Sequence, residues 1–246
     1  DLTLIHADRV PQFADLDMLE PIEGLMATNT DLSADNYLEV AWNAGNYEGT
    51  QYTVPLDIHG NAMYYNTDLL DKYDANTFWE DDGGTVEEIL SLDGKLDGGQ
   101  YAINNALIEW VTLANVVNAG GDISDEAGNP TINTDAMRSV VEQLKSVADA
   151  GLMSPYGEDG YAMFQSGDVL FSTDGTWTST AHGSVEGLNF GVTNIYSVTP
   201  DKFTNRSSAH LFSLLNNEDR TDEKEQGIAD FLSWMRENSI DWAGAG

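Results

Sequence analysis

The chain has 246 residues, and its 42 acidic residues against 10 basic ones give a net charge of −32. A polyanion of this kind repels the phosphates of nucleic acids and anionic membrane surfaces, so both classes of partner are excluded. Aromatic residues make up 10% of the sequence, which excludes a disordered polyelectrolyte. Self-repulsion on this scale is tolerable when salt screens it, and the Debye length falls to about 3 Å at 1 M salt. The composition therefore indicates a halophile, with an ordinary acidic surface as the alternative.

Taken in chain order, strand-like segments alternate with helical ones. Short apolar runs of strand type occupy residues 2–7, 52–58, 101–106, 169–173, 188–196 and 210–215. Helical patterns begin near residues 10, 67, 85, 106, 134, 160, 176 and 223, and Thr85 with Glu88 forms a capping box. This alternation predicts an α/β chain with largely parallel sheets.

Metal and redox chemistry find little support in the sequence. There is no cysteine, which excludes disulfides, thiol nucleophiles and zinc–thiolate sites. The four histidines are far apart in the chain, and no pair has metal-ligand spacing: His6, His59, His182 and His210. We therefore predict no metal site and no cofactor. No apolar run reaches transmembrane length. The chain opens directly in a strand without a signal peptide, as a piece cut from a longer protein would.

Enzymatic motifs are also missing from the sequence. There is no GxSxG elbow, phosphate-binding GxxxxGK[ST] loop, GxGxxG fingerprint or HExxH helix. Glu109 could be one carboxylate of a glycosidase pair, but in so acidic a chain such pairs arise by chance. We therefore predict no catalytic residue.

Polar and aromatic groups follow several predicted strands, where open α/β sheets place their ligands. Carboxylates and imidazoles hydrogen-bond hydroxyl groups, and flat indoles cover the apolar faces of sugar rings. The inventory favours a neutral polyhydroxylated ligand, bound by Asp8, Arg9, Asp57, His59, Trp110, Asp174, Gly175, Trp177 and His210. Each residue also has a structural alternative: a core Trp, a capping or surface Asp or His, or a salt bridge between Asp8 and Arg9.

Several segments together resemble one known family. They are DLTLIHADRVPQFADLDMLEPI, VPLDIHGNAMYYNTDLL, GTVEEI, EWVTLANVVNAGGD, MFQSGDVLFSTDGTWTS and SSAHLFSLLNN. In this order they resemble the extracellular solute-binding proteins of ABC transporters, family 1, which are maltose-binding-protein-like. His59 stands where the family has a sugar-binding Glu, so the ligand need not be maltose. Asp8 with Arg9, Trp110 and Trp177 match positions that contact ligand, whereas His210 is inferred from its strand alone.

The resemblance implies a two-lobed periplasmic-binding-protein-like fold of type II. The first lobe would comprise residues 1–58 and 207–246 and the second residues 59–206, with a hinge at Gly60 and Asn61 and the ligand in the cleft between lobes. Family members begin earlier and end later, so the chain is expected to be truncated at both ends, with an incomplete first lobe.

The function implied is that of the substrate-binding component of an ABC importer. It would bind a sugar or oligosaccharide and deliver it to the permease subunits in the membrane. The protein would be a monomer at the cell surface, outside the cell, with a lipid anchor on the full-length form. A secreted glycoside hydrolase, or another carbohydrate-active enzyme, is the alternative, and a surface-layer module is a weaker third.

Overall fold

A computed structural model describes residues 1–76, 83–125 and 127–244 of the chain. The strands are β1 Leu2–His6, β2 Leu19–Glu20, β3 Asn46–Tyr47, β4 Thr50–Gln51, β5 Thr53–Asn66, β6 Tyr101–Ile103, β7 Val169–Gly175, β8 Phe190–Thr193 and β9 Ser207–Leu215. The helices are α1 Val10–Asp15, α2 Glu23–Thr28, α3 Glu39–Asn43, α4 Thr67–Lys72, α5 Val86–Leu90, α6 Ile108–Asn118, α7 Asp135–Asp149, α8 Gly160–Ser166, α9 Ser179–Gly183, α10 Asp222–Glu237 and α11 Ser239–Ala243. Among the residues described, no helix has both the length and the apolar character needed to cross a membrane.

The chain divides into two compact units, and the first is discontinuous. Unit 1 comprises Asp1–His59 and Ser207–Gly246, and unit 2 comprises Gly60–Arg206. Strand β5 therefore begins in unit 1 and ends in unit 2.

In unit 1, strand β9 lies between β1 and the first half of β5. It pairs antiparallel with β1, from Leu2 opposite Leu214 to His6 opposite His210. Side chains alternate along β9, so Ala209 and Leu211 are buried in the core while His210 lies on the other face. A second apolar cluster packs α2 and α10 together.

In unit 2, strand β7 is buried along its whole length between β5 and β6. It pairs antiparallel with β5 and parallel with β6, and β8 pairs antiparallel with β5. The main core lies where α5, α6 and α7 pack, and a smaller one surrounds Tyr64 and Phe164. The predicted capping box is confirmed, because Thr85 accepts from the Glu88 backbone while the Glu88 side chain accepts from Thr85 N–H.

The prediction of largely parallel sheets is wrong. Of the described strand pairs with a register, only β6 with β7 is parallel. Parallel pairing requires a crossover between strands that are neighbours in the sheet. Here β1 is paired with β9, at the opposite end of the chain, and periodicity along a sequence carries no information about such partners.

The predicted strand ends are also misplaced at two sites. Asp57 and His59 lie inside β5, which continues through Gly60 and Asn61 to Asn66. Asp174 and Gly175 belong to β7 rather than to the loop after it. Asp, Asn and Gly are depleted in strands, so the sequence pattern indicated a stop. Pairing with β9 and β7 keeps β5 extended, and pairing with β5 keeps the end of β7 extended.

Candidate functional site

Three histidines of unit 1 come together on one face of its sheet, and we call them the imidazole cluster: His6, His59 and His210. His6 and His210 are directly opposite each other on β1 and β9, and such cross-strand neighbours share a face. Ring centroids are 4.6 Å apart for His6 and His210, 4.2 Å for His59 and His210, and 5.5 Å for His6 and His59. The histidines are far apart in the sequence, which had argued against a cluster. The fold nevertheless brings three of the four together.

Asp57 holds two of these rings in place. Its carboxylate lies 3.1 Å from Nδ1 of His59 and 2.9 Å from Nδ1 of His210. The His210 backbone N–H donates to it at 3.1 Å, and Trp242 Nε1 donates at 2.8 Å. Partial burial alone would raise the pKa of Asp57, but these hydrogen bonds outweigh it and hold the pKa below its usual value. Asp57 therefore remains an anion at neutral pH.

Asp8 and Arg9 follow β1 in a 3-10 turn that packs against β9. Arg9 Nε lies 3.5 Å from Asp8 Oδ2, and both side chains are more than half exposed. An ion pair this exposed contributes little to stability. The pair exists as the structural alternative supposed, and its exposure leaves both groups accessible to a solute.

In unit 2, Asp174, Gly175 and Trp177 form one corner at the end of β7. The indole of Trp177 lies against Gly175 where a Cβ atom would stand, so the ring position requires glycine there. Tyr64 Oη and Thr178 Oγ1 both donate to the Gly175 carbonyl, each at 2.9 Å, and fix the turn. Trp177 is 43% exposed, which excludes the interpretation of this residue as a core Trp.

Asp174 is buried beside that corner. Burial raises its pKa, the charge of Asp159 adds to the rise, and the hydrogen bond from Gly175 N–H opposes it. Trp110 lies on α6, with the Arg206 guanidinium 3.9 Å from its ring centroid in a cation–π contact. The structure therefore brings together Asp57, His59 and His210 in unit 1 and Asp174, Gly175 and Trp177 in unit 2. The contacts described above for Asp8, Arg9 and Trp110 do not join them to these groups.

Four residues that contact or adjoin these groups were not among the predicted site residues: His6, Trp242, Arg206 and Asn61. Asn61 is 4% exposed, and neither Oδ1 nor Nδ2 of its side chain has a hydrogen-bond partner among the described residues. It lies opposite Gly175 in the β5–β7 pairing. The family resemblance had implied a hinge at Gly60 and Asn61, which is a role for the backbone and not for the side chain. The unpaired amide is visible only once the fold is known.

Comparison with known proteins shows one matching protein family and several distant relatives. Residues 1–242 match the family described as bacterial extracellular solute-binding protein. An arabinooligosaccharide-binding protein of Halalkalibacterium halodurans is 22% identical over 197 residues, which is 72% of this chain and 41% of that protein. A putative binding protein of Brucella abortus is 25% identical over 167 residues, 66% of this chain and 39% of that protein.

Solved structures share the fold. An ABC substrate-binding protein from Listeria monocytogenes, in complex with cycloalternan, has a TM-score of 0.82 at 18% identity, covering 96% of this chain and 61% of that one. The GacH receptor of Streptomyces glaucescens, solved unliganded and with acarbose, has a TM-score of 0.79 at 20% identity, covering 98% and 64%. The chain thus spans about two fifths of its curated relatives' length and about three fifths of these structures.

Proposed function

Because the chain belongs to the family of bacterial extracellular solute-binding proteins, we propose that it acts as the substrate-binding component of an ABC importer. Its ligand is a sugar or oligosaccharide, which it delivers to permease subunits in a membrane. The observation that carries this proposal is the family match, which extends over almost the whole chain. The relatives named for arabinooligosaccharide, cycloalternan and acarbose support a carbohydrate ligand.

The chemistry of the two local groups suits this ligand class. In unit 1, the Asp57 carboxylate and the imidazoles supply acceptors and donors for hydroxyl groups. In unit 2, the half-exposed ring of Trp177 offers a flat surface for the apolar face of a pyranose. Arg206 already covers one face of Trp110, so we assign Trp110 a smaller part. The expectation that both groups contact one ligand stays a prediction.

Transport requires that ligand binding changes the conformational population of the protein. A ligand does this only through a difference in its affinity for two states. We propose that the sugar-bound state is the one recognised by the permease. The family's extracellular description supports a place outside the cell membrane, whereas a lipid anchor and a monomeric state are further expectations.

The test is a thermal-shift titration of the 246-residue chain in concentrated potassium chloride, against mono- and oligosaccharides and polyols. A ligand that binds only the folded state, at a free concentration of 100 times its Kd, adds about 2.7 kcal/mol to the free energy of unfolding. The melting temperature therefore rises with ligand concentration. Chromatography of the same mixtures should show the sugar intact, because a hydrolase would degrade it.

A matched pair of variants locates the binding surface. We expect Trp177→Ala to abolish most of the sugar-dependent shift. Trp234→Ala removes another exposed Trp, on α10 and outside the proposed site, and should leave the shift unchanged. If no sugar shifts the melting temperature, or if both variants respond like the wild type, the proposed ligand class or site is wrong.

A further inference from the structure

The imidazole cluster has a feature that sugar binding does not require. One ring nitrogen from each of His6, His59 and His210 lies within 4.8 Å of the other two. The three residues come from neighbouring strands of one sheet, so the backbone that carries them is hydrogen-bonded and regular. Three imidazoles whose ring nitrogens lie this close together on neighbouring strands are a candidate ligand set for a metal ion.

The groups behind the rings fit the same purpose. Nδ1 of His59 and Nδ1 of His210 both face the Asp57 carboxylate. A neutral imidazole that donates Nδ1–H to a carboxylate presents Nε2 as a lone-pair donor, which is the usual arrangement behind a metal-bound histidine. Asp57 is itself held by Trp242 Nε1 and the His210 backbone N–H. The carboxylate is therefore oriented independently of the two rings that it supports.

The donor set selects the kind of metal. Three neutral nitrogen ligands suit Zn²⁺, Cu²⁺ or Ni²⁺, whereas Mg²⁺ and Ca²⁺ prefer oxygen ligands. A tetrahedral ion with metal–nitrogen distances of about 2.0–2.1 Å needs its nitrogens roughly 3.3 Å apart. His6 is exposed, so its ring can rotate toward the other two without disturbing the core.

We propose that unit 1 binds a divalent late-transition-metal ion, Zn²⁺ foremost, through His6, His59 and His210, with Asp57 as the carboxylate that orients two of the rings. The fourth coordination position is left to water or a solute. This site goes beyond the proposed function, because metal binding and sugar binding can each be measured without the other.

The test is a zinc titration of the 246-residue chain against a chromophoric chelator. Concentrated sodium nitrate replaces chloride, which complexes zinc, and excess Mg²⁺ occupies the acidic surface. We expect one Zn²⁺ per chain, and Co²⁺ in its place should give the intense visible bands of a four-coordinate site. His6→Gln should weaken zinc binding at least as strongly as the loss of an outer carboxylate does, which is about 10–100-fold. This variant changes an exposed side chain, so it should fold normally.

A second pair of variants separates the site from the overall negative charge. Asp57→Asn and Asp35→Asn remove the same charge from unit 1, but Asp35 is exposed and belongs to a 3-10 turn away from the rings in sequence. We expect only Asp57→Asn to weaken zinc binding, by about 10–100-fold. The proposal is overturned if zinc is displaced by Mg²⁺, or if His6→Gln binds zinc like the wild type. Sugar-dependent thermal shifts measured in the presence of EDTA report on the proposed function separately.

Discussion

We expect Asn61→Leu to raise the stability of unit 2. Asn61 is almost fully buried on β5, and its side-chain amide has no partner among the described residues. Leu has the same number of side-chain heavy atoms as Asn, so the substitution needs little new space. It removes a polar group that folding strips of water without giving it a hydrogen bond.

The magnitude follows from two contributions. Burying an unpaired amide costs about 1–3 kcal/mol in mutational data, and a buried Leu adds hydrophobic stabilisation of about 1.5–3 kcal/mol when it packs well. Imperfect packing at a site shaped for an amide offsets part of this gain. We therefore expect the free energy of unfolding of unit 2 to rise by about 1–3 kcal/mol, or roughly 2–4 °C in melting temperature per kcal/mol.

The matched control is Asn66→Leu, on the same strand and 7% exposed. There the side chain caps α4 and accepts the Leu69 N–H at 3.1 Å, so its removal should destabilise the protein by about 0.5–2 kcal/mol. Urea unfolding in high salt, followed by far-UV circular dichroism, compares the two variants. Opposite signs support the reasoning, whereas a loss of stability in both would mean that the Asn61 amide has a partner in the folded protein.

Three further predictions concern other features. His182 is buried among aromatic rings, and burial lowers its pKa. As pH falls below about 6.5, the unfolded chain therefore binds a proton at this residue before the folded chain does, and the protein loses stability. His182→Phe should reduce the stability that denaturant titrations show to be lost between pH 7.5 and 5.5. Thr85→Ala removes the N-cap of α5 and should cost about 1 kcal/mol by the same assay, with Glu88→Ala costing no more. Gly175→Ala displaces the indole of Trp177 and should shift its fluorescence and abolish sugar binding; an unchanged affinity would contradict the role of this corner.

The sequence was most informative where local chemistry decides the structure. The capping box at Thr85 and the start of α7 after Thr134, where the sequence predicts a helix near residue 134, both follow from local patterns. The order of motifs along the chain indicated the family, and the match over residues 1–242 confirms it.

The sequence could not show which distant segments pair with or contact each other in the fold. His6 was passed over because its neighbours in sequence carry no metal-binding pattern, yet β1 pairs with β9 and places it opposite His210. Asp57 was expected at the end of a strand that stops by residue 58, because acids are rare in strands. Its interior position is tolerated because His59, His210 and Trp242 satisfy its carboxylate. Trp242 comes 185 residues later in the chain, beyond the reach of any local pattern.

The discontinuity of unit 1 has a consequence for the order in which the chain folds. Leu2 pairs with Leu214, so β1 cannot complete its pairing until β9 has been synthesised. Unit 2 is continuous from Gly60 to Arg206 and can complete its contacts during synthesis, as N-terminal or contiguous segments generally do.

Folding of unit 2 also brings its own two ends together, since the Asn205 side chain donates to the Asn61 carbonyl and the Arg206 carbonyl lies beside Gly60. Once unit 2 has folded, its two ends lie close together, so the two segments of unit 1 are connected by a short effective loop. Joining β1 to β9 then costs less loop-closure entropy than it would across an unfolded unit 2. We therefore expect the topology to fix the order of folding. Unit 2 folds first, and the folding of the discontinuous unit 1 is the slow, late step.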